Sequence, residues 1–141
     1  MNNAEIDLRV LLHDQSVRGI NNQTEEMCMS AVAESGFALE HVQKEFRTAA
    51  VCTVAVDRTG FALEWVPVEL RTAELCATAV ARSGYALKWV PRALRTAELC
   101  ATAVERAGYA LKYVPVELRT AELCAVAVAQ DEAARKYVPG G

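Results

Sequence analysis

The segment TAELCATAVARSGYALKWVPRALR occupies residues 72–95, and TAELCATAVERAGYALKYVPVELR follows it directly at residues 96–119. More divergent copies occupy residues 24–47, 48–71 and 120–141. A cysteine recurs at one position of every copy, 24 residues after the last: Cys28, Cys52, Cys76, Cys100 and Cys124. Self-similarity with a period of about 20–50 residues is typical of stacked supersecondary units. The sequence therefore predicts a repeat protein.

Each copy predicts a helix that begins at a threonine and ends at a glycine. Thr72 is a good N-cap residue, and Glu74 lies in the first turn, where the helix dipole favours an anion. The apolar residues after it have the spacing of one helical face: Leu75, Cys76, Ala79 and Val80. We expect Gly84 to end this helix in the left-handed C′ conformation.

A shorter helix is expected over residues 85–90, with Ala86, Leu87 and Val90 facing inward and Lys88 facing outward. Pro91 ends it, and residues 92–95 are expected to form a 3₁₀ turn that returns Leu94 to the core. The first position of the short helix is aromatic in four copies, which predicts a core row: Phe37, Phe61, Tyr85 and Tyr109. The predicted fold class is all-α, a right-handed α-solenoid of five 24-residue repeats.

The two ends differ from the inner copies and predict caps on one domain, residues 1–141. Residues 3–13 have the pattern of an irregular helix, so residues 1–23 are expected to form an N-terminal cap. Residues 120–141 are expected to form a polar C-terminal cap, because Glu132, Ala133 and Arg135 replace glycine, tyrosine and leucine. With both ends capped, we expect a complete solenoid.

The composition predicts a folded protein without a membrane segment. The chain has 141 residues, 52% hydrophobic and 23% charged, and a net charge of −3. No apolar run reaches the roughly 20 residues of a membrane-spanning helix, and acidic residues lie in MNNAEIDLRVLLHDQ where a secretory signal is basic. We expect a cytoplasmic location, in the producing bacterium or in a host cell, and no membrane partner.

The cysteine row has a chemical and a structural interpretation. One cysteine per repeat lacks the paired spacing of a zinc site, and equivalent positions about 8–10 Å apart are too distant for disulfides. We favour small buried hydrophobes. The histidines, His13 and His41, stand in no metal or catalytic motif. We therefore expect no metal, no cofactor and no enzymatic activity.

The repeats resemble a known bacterial family in their motif. Residues 110–128 read ALKYVPVELRTAELCAVAV. This pattern is similar to that of the short helical repeats grouped as domain of unknown function 4116, over residues 24–139, with the closing glycine at Gly36, Gly60, Gly84 and Gly108. The resemblance implies an α-helical solenoid and brings no activity or catalytic residues. A broader similarity of period links the chain to leucine-rich repeat variant solenoids, some of which hold an iron–sulfur cluster on clustered cysteines that this sequence lacks.

A row of arginines could follow a phosphate backbone: Arg47, Arg71, Arg95 and Arg119. The interpretation that we favour is structural ion pairing with the glutamates three residues further on: Glu74, Glu98 and Glu122.

A second aromatic row varies in size and polarity, which predicts partial exposure: His41, Trp65, Trp89, Tyr113 and Tyr137. With the charged row Glu40, Glu64, Lys88 and Lys112 and the turn residues Lys44, Val68, Arg92 and Val116, it predicts an amphipathic stripe. Rings that clamp adjacent repeats together are the alternative. The candidate partner-binding residues are His41, Trp65, Lys88, Trp89, Arg92, Lys112, Tyr113 and Tyr137.

Three functions follow from these patterns. The leading one is a non-enzymatic module that binds another protein or protein complex, as a small effector or as a phage or mobile-element inhibitor of a bacterial defence complex, an anti-CRISPR role included. The second is nucleic-acid binding through the basic central repeat, at Arg82, Lys88, Arg92 and Arg95, although the pI near 5.4 disfavours it. The third is a structural or assembly unit, as a monomer or a homodimer.

Overall fold

The computed structural model describes residues 24–140, and all regular secondary structure in this range is helical. We number the units at residues 24–47, 48–71, 72–95, 96–119 and 120–141 as repeats 1 to 5. Each begins with a ten-residue α-helix: α1 (Glu25–Glu34), α2 (Ala49–Arg58), α3 (Ala73–Arg82), α4 (Ala97–Arg106) and α5 (Ala121–Gln130). A six-residue 3₁₀ helix follows: Gly36–His41, Gly60–Trp65, Gly84–Trp89, Gly108–Tyr113 and Glu132–Tyr137. Repeats 1 to 4 close with a three-residue 3₁₀ helix: Lys44–Phe46, Val68–Leu70, Arg92–Leu94 and Val116–Leu118.

These elements confirm the all-α repeat fold that the sequence predicts. The α-helices of adjacent repeats pack on one another, and so do their six-residue 3₁₀ helices, which gives a two-layer array. The right-handed course of the array stays a prediction, and the predicted cap at residues 1–23 lies outside the described residues. Within residues 24–140, no helix has the length and apolar character needed to cross a membrane.

A threonine caps each α-helix at its N-terminus. Thr72 has extended backbone angles, and its hydroxyl accepts a hydrogen bond of 3.2 Å from the Leu75 amide. Thr24, Thr48, Thr96 and Thr120 make the equivalent bond at 3.1–3.3 Å. Each cap contributes about 1 kcal/mol to helix stability, so the repeat boundaries coincide with strong helix starts. The N-cap prediction for Thr72 is confirmed.

The glycine after each α-helix has a different role from the predicted one. Helix α3 ends at Arg82, and the next residue, Ser83, has extended backbone angles (φ −148°, ψ 119°). Among the described residues, the glycine with a positive φ is Gly140. A Cβ atom at Gly84 would overlap the carbonyl oxygen of Ala103 in the next α-helix. The prediction of a left-handed C′ residue is therefore wrong. Glycine is required here because the 3₁₀ helix lies directly against the backbone of the next repeat.

The 3₁₀ geometry decides which side chains are buried. Side chains three residues apart share a face of a 3₁₀ helix. Gly84, Leu87 and Val90 therefore face the core together, and the side chains of Leu87 and Val90 are at most 1% exposed. Ala86 is also buried, and Leu94 packs against the core from the following turn, as the sequence predicts. The same period places Tyr85 and Lys88 together on the outside.

The predicted core row of aromatic residues is wrong for this reason. Phe37 is 51% exposed and Tyr85 is 39% exposed, and Phe61 and Tyr109 are half-buried. The expectation assumed that a uniform apolar row belongs to the interior. In the 3₁₀ helix the interior positions are taken by glycine, alanine, leucine and valine, so the rings lie at the surface.

The last repeat is polar where the inner repeats are apolar, as the sequence predicts. Glu132 occupies the glycine position and Arg135 the leucine position, and both are exposed, as is Ala133. Arg135 and Glu132 form an ion pair, with 2.8 Å between the Arg135 Nε and Glu132 Oε1 atoms. These exposed charges agree with the polar character predicted for this repeat, and its role as a cap stays a prediction.

Candidate functional site

The arginine row holds adjacent repeats together through backbone carbonyl groups. Arg71 donates from Nε to the Val66 oxygen (3.0 Å), from one terminal nitrogen to the Glu64 oxygen (3.2 Å) and from the other to the Trp89 oxygen (2.7 Å) of the next repeat. Arg47, Arg95 and Arg119 repeat this pattern at 2.8–3.2 Å. Each guanidinium therefore joins the C-terminal ends of two 3₁₀ helices, where carbonyl groups lack helical partners.

This arrangement corrects the predicted partners of the arginines. The sequence indicates that these charges are used structurally, but the acceptors are carbonyl oxygens instead of Glu74, Glu98 and Glu122. Burial lowers the pKa of the Arg71 guanidinium, while the nearby Cys76 and Glu64 raise it. A planar group with five donors satisfies three carbonyls at once, which a lysine ammonium could not do with the same geometry.

Of the three carbonyls that each arginine binds, one belongs to a buried valine, such as Val66, and two belong to outward-facing residues at the C-terminal ends of the 3₁₀ helices. These outward-facing residues form one surface with those of the preceding turn. We call these residues the aromatic stripe: the rings Phe37, His41, Phe61, Trp65, Tyr85, Trp89, Tyr109, Tyr113 and Tyr137 and the charged residues Glu40, Glu64, Lys88, Lys112 and Lys136. All five charged side chains are exposed, and the rings are half-buried or exposed. The backbone of the stripe is thus fixed from behind by the arginine row.

Ring contacts join the stripe across repeat boundaries. The Trp65 ring meets Phe37 edge-on with 6.1 Å between centroids, and Trp89 meets Phe61 in the same way at 5.8 Å. Equivalent rings of adjacent repeats also contact each other, at 6.5 Å between Phe37 and Phe61. The rings therefore clamp adjacent repeats and remain partly exposed, so the two interpretations of this row hold together.

The charge of the stripe changes sign between repeats 2 and 3. Its charged position is Glu40 and Glu64 in the first two repeats and lysine in the last three. The lysines lie on the rings: Lys88 Nζ is 5.6 Å from the Trp89 centroid, and Lys112 Nζ is 5.7 Å from that of Tyr113. Lys136 contacts the rings of two repeats. One half of the stripe is acidic and the other half basic.

At the end of the basic half, two tyrosines of adjacent repeats share a hydrogen bond. The hydroxyl oxygens of Tyr109 and Tyr137 are 2.8 Å apart, and their rings are edge-on at 5.3 Å. This bond lowers the pKa of Tyr109, helped by the Lys136 cation, and raises the pKa of Tyr137. The pKa of Lys136 is raised by the two phenols. The cluster ties repeat 5 to repeat 4 at the surface.

The structure brings seven of the eight candidate residues together in the stripe. The eighth, Arg92, lies in the turn that follows, where its side chain is 3.5 Å from Glu117. The basic centre that nucleic-acid binding would use is similarly divided: Arg82 pairs with Asp57 at 3.1 Å, and Arg95 is held in the arginine row. Lys88 alone of that set lies on the stripe.

The exposed row at Phe37, Phe61, Tyr85 and Tyr109 was missed as part of the site. A signal for it was present in the sequence. Each ring stands three residues before a charged residue, as Tyr85 does before Lys88, and this spacing places both on one face if the segment is a 3₁₀ helix. The assumption of α-helical spacing hid the relation.

The cysteine row lies on the buried face of the α-helices, and none of the five cysteines forms a disulfide. Burial raises the pKa of Cys52 to about 11, although the Arg47 cation acts in the opposite direction. A thiol that stays protonated at neutral pH is a poor nucleophile and metal ligand. The interpretation as small buried hydrophobes is confirmed. In the part of the chain that the structure describes, no cluster of three or more His, Cys, Asp or Glu side chains could hold a metal ion.

Comparison of the chain with models of protein families, with curated proteins and with solved structures finds no match in any of the three. The resemblance to the domain of unknown function 4116 repeats therefore stays a prediction.

Proposed function

We propose that this protein is a non-enzymatic protein-binding module that holds one partner on the aromatic stripe. The observation that carries the proposal is the exposure of Phe37 (51%) and Tyr85 (39%) within a continuous row of rings and charges. Aromatic side chains contribute much of the binding energy in protein interfaces. Exposing large aromatic rings to water is unfavourable in free energy for a soluble repeat array. A surface of this kind therefore indicates a role in binding.

The fixed backbone beneath the stripe supports the same proposal. Arg95 binds the carbonyls of Lys88 and Tyr113, so stripe residues of two repeats are held by one side chain. A surface that is ordered before binding loses less entropy when a partner arrives. The opposite layer offers less to a partner, because α3 exposes small residues at Ala73, Ala77 and Ala81.

The finer role that we propose is that of a small effector or inhibitor, such as a phage or mobile-element inhibitor of a bacterial defence complex, acting in the cytoplasm. Five buried thiols without disulfides suit a reducing compartment. A rigid surface with few chemical groups suits a protein that blocks another by occupying its surface.

Affinity capture with a pair of matched variants tests the proposal. The wild-type chain is immobilised and exposed to bacterial lysate, beside a Phe37→Ala, Tyr85→Ala variant of the stripe. The control is Arg58→Ala, Arg106→Ala, which changes exposed residues in the last turns of α2 and α4. We expect a stoichiometric protein partner that the stripe variant loses and the control keeps. Capture of no such partner, or equal capture by both variants, contradicts the proposal.

Nucleic-acid binding is the second candidate, and the lysines stacked on rings at Lys88, Lys112 and Lys136 favour it, since single strands bind to cations and aromatic platforms. Retention on single-stranded RNA or DNA at low salt, lost as the salt rises, would support it. If the chain does not bind at low salt, this candidate is eliminated.

A further inference from the structure

The order of charges along the stripe defines a direction. Glu40 and Glu64 stand in repeats 1 and 2, and Lys88, Lys112 and Lys136 stand in repeats 3, 4 and 5 at the same repeat position. All five are exposed. A partner whose charges run in the opposite order gains attraction at every repeat, whereas one with the same order meets repulsion.

The two halves of the stripe differ in the contacts that the chain's own lysines make with the rings. Within residues 24–140, the lysine–ring stacks all lie in repeats 3 to 5. In repeats 1 and 2 the rings of Phe37, Phe61 and Trp65 lie on a stripe whose charged residues are carboxylates. A cation over an aromatic face is attracted to the ring, and a carboxylate nearby adds to that attraction. The acidic half therefore suits a basic side chain from outside.

The spacing of the rings matches an extended peptide. Equivalent rings are 6.5 Å apart between Phe37 and Phe61 and 6.3 Å apart between Tyr85 and Tyr109. Side chains on one face of a β-strand recur every two residues, about 6.6 Å, whereas one turn of an α-helix advances about 5.4 Å. At each of these two intervals the mismatch is about 0.2 Å for a strand and about 1 Å for a helix. The ring spacing within each pair therefore favours an extended segment over a helical one.

From these observations we infer that the stripe binds an extended segment of the partner protein in which every second residue is charged. Two basic side chains face repeats 1 and 2, and three acidic side chains face repeats 3 to 5. Each repeat receives one side chain, and the residues between them face away. This inference rests on the proposed function and adds the chemistry of the partner.

Synthetic peptides of fixed composition test the order of charges. The peptides KTKTETETE and ETETETKTK present the inferred order in the two chain directions, and ETKTETKTE has the same composition with the order broken. Binding is measured by titration calorimetry at low salt. We expect one ordered peptide to bind about tenfold more tightly than the broken one, since several exposed charge pairs together reach that factor. Equal binding of the three peptides, or binding of none, overturns the inference.

A charge-inverted chain provides the matched variant. It carries Glu40→Lys, Glu64→Lys, Lys88→Glu, Lys112→Glu and Lys136→Glu, all at exposed positions, and circular dichroism checks its fold. If the wild type prefers KTKTETETE, the inverted chain is expected to prefer ETETKTKTK. If the wild type prefers ETETETKTK, the inverted chain is expected to prefer KTKTKTETE. An Arg58→Glu, Arg106→Glu control on the α-helical layer keeps the wild-type preference. A preference that does not exchange contradicts the inferred register.

Two further outcomes separate this inference from the proposed function. If no ordered peptide binds but lysate capture still depends on Phe37 and Tyr85, the protein-binding proposal stands and the extended segment is wrong. Sedimentation of the chain alone addresses a second copy as the occupant. A dimer that Lys112→Glu dissociates would place another copy of this chain on the stripe and overturn the inference.

Discussion

Two features of the chain have the same 24-residue period but obey different constraints. One is the boundary between adjacent repeats, and the other is the outward-facing stripe. We call the glycine and arginine rows together the seam. Its residues are identical in each of the four repeats that contain them: Gly36, Gly60, Gly84 and Gly108, and Arg47, Arg71, Arg95 and Arg119. In the stripe, by contrast, the charged position changes from glutamate to lysine. In this pair, the row of identical residues holds the repeats together, and the row whose charge changes lies at the surface.

The difference has a physical cause. Seam residues contact backbone atoms, as Gly84 contacts the Ala103 carbonyl and Arg95 the Tyr113 carbonyl. Backbone atoms are the same in every repeat, so one side chain satisfies them everywhere. Stripe side chains such as Lys112 extend into solvent, where no neighbour in the array fixes their identity.

The largest expected effect follows from a methyl group added to the seam. Gly84→Ala places a Cβ atom against the Ala103 carbonyl oxygen and near the Ala107 side chain. Because backbone atoms must move to admit it, we expect a loss of about 2 kcal/mol or more in the free energy of unfolding. Denaturant unfolding followed by circular dichroism measures it. Ser83→Ala, one residue earlier, is the control and changes stability little.

The sign of this effect distinguishes two roles of the glycine. At an unstrained position with ordinary backbone angles, glycine to alanine stabilises a protein by about 0.4–1 kcal/mol. A Gly84→Ala variant as stable as the wild type, or more stable, would contradict the close approach of the repeats.

A smaller effect is expected from the arginine of the seam. Arg95→Ala removes three hydrogen bonds to carbonyls, at 3.0, 2.8 and 3.2 Å, and we expect a loss of about 2 kcal/mol, since bonds from charged donors are strong but these are partly exposed. Arg92→Ala, three residues earlier, removes one exposed ion pair with Glu117 and is expected to cost less than about 0.5 kcal/mol. If the two substitutions lowered the free energy of unfolding by the same amount, the seam arginine would stabilise the chain no more than an exposed ion pair does.

At neutral pH the smallest effect is that of the buried thiols of the α-helices, whose ionisation depends on pH. The pKa of Cys28 and Cys52 is raised to about 11 by burial, whereas an unfolded cysteine ionises near about 8.5. Between these values the folded chain keeps protons that the unfolded chain loses, so stability falls as the pH rises through this window. Below about pH 8 we expect that the ionisation of these thiols does not change the free energy of unfolding.

The ¹³Cβ chemical shifts of labelled cysteines in the native protein measure this ionisation at each thiol. We expect those of Cys28 and Cys52 to change only as the pH approaches about 11. Their titration at the pH of exposed cysteines would show that the helices do not shield these positions.

Much of the fold could be predicted from the repeated segment. The period, the threonine caps, the buried cysteines and the inward Leu87 and Val90 all follow from local rules about capping and hydrophobicity. These rules act within one repeat, so one copy of the segment is enough to apply them. For this reason the α-helices and the rows of small buried residues could be predicted from the sequence.

The seam and half of the stripe were not predicted because they depend on the distance between repeats. The glycine can end a helix or admit a neighbour, and only packing shows that Gly84 does the latter. The acceptors of Arg71 are carbonyls, which no sequence pattern marks. The exposure of Tyr85 depends on the 3₁₀ geometry of a segment that is too short for periodicity to decide.

The central claim is that the stripe binds the partner while the seam only holds the repeats together. The chain supplies its own probes, since Lys88, Lys112 and Lys136 lie on the stripe, and the exposed Arg58 and Arg106 lie on the α-helical layer. Acetylation of each lysine, and modification of each arginine by phenylglyoxal, is followed by mass spectrometry with and without the captured partner. We predict that the partner slows acetylation of Lys88, Lys112 and Lys136 and leaves the modification of Arg58 and Arg106 unchanged. If the three stripe lysines react as fast in the complex as in the free chain, the partner binds elsewhere and the claim is contradicted.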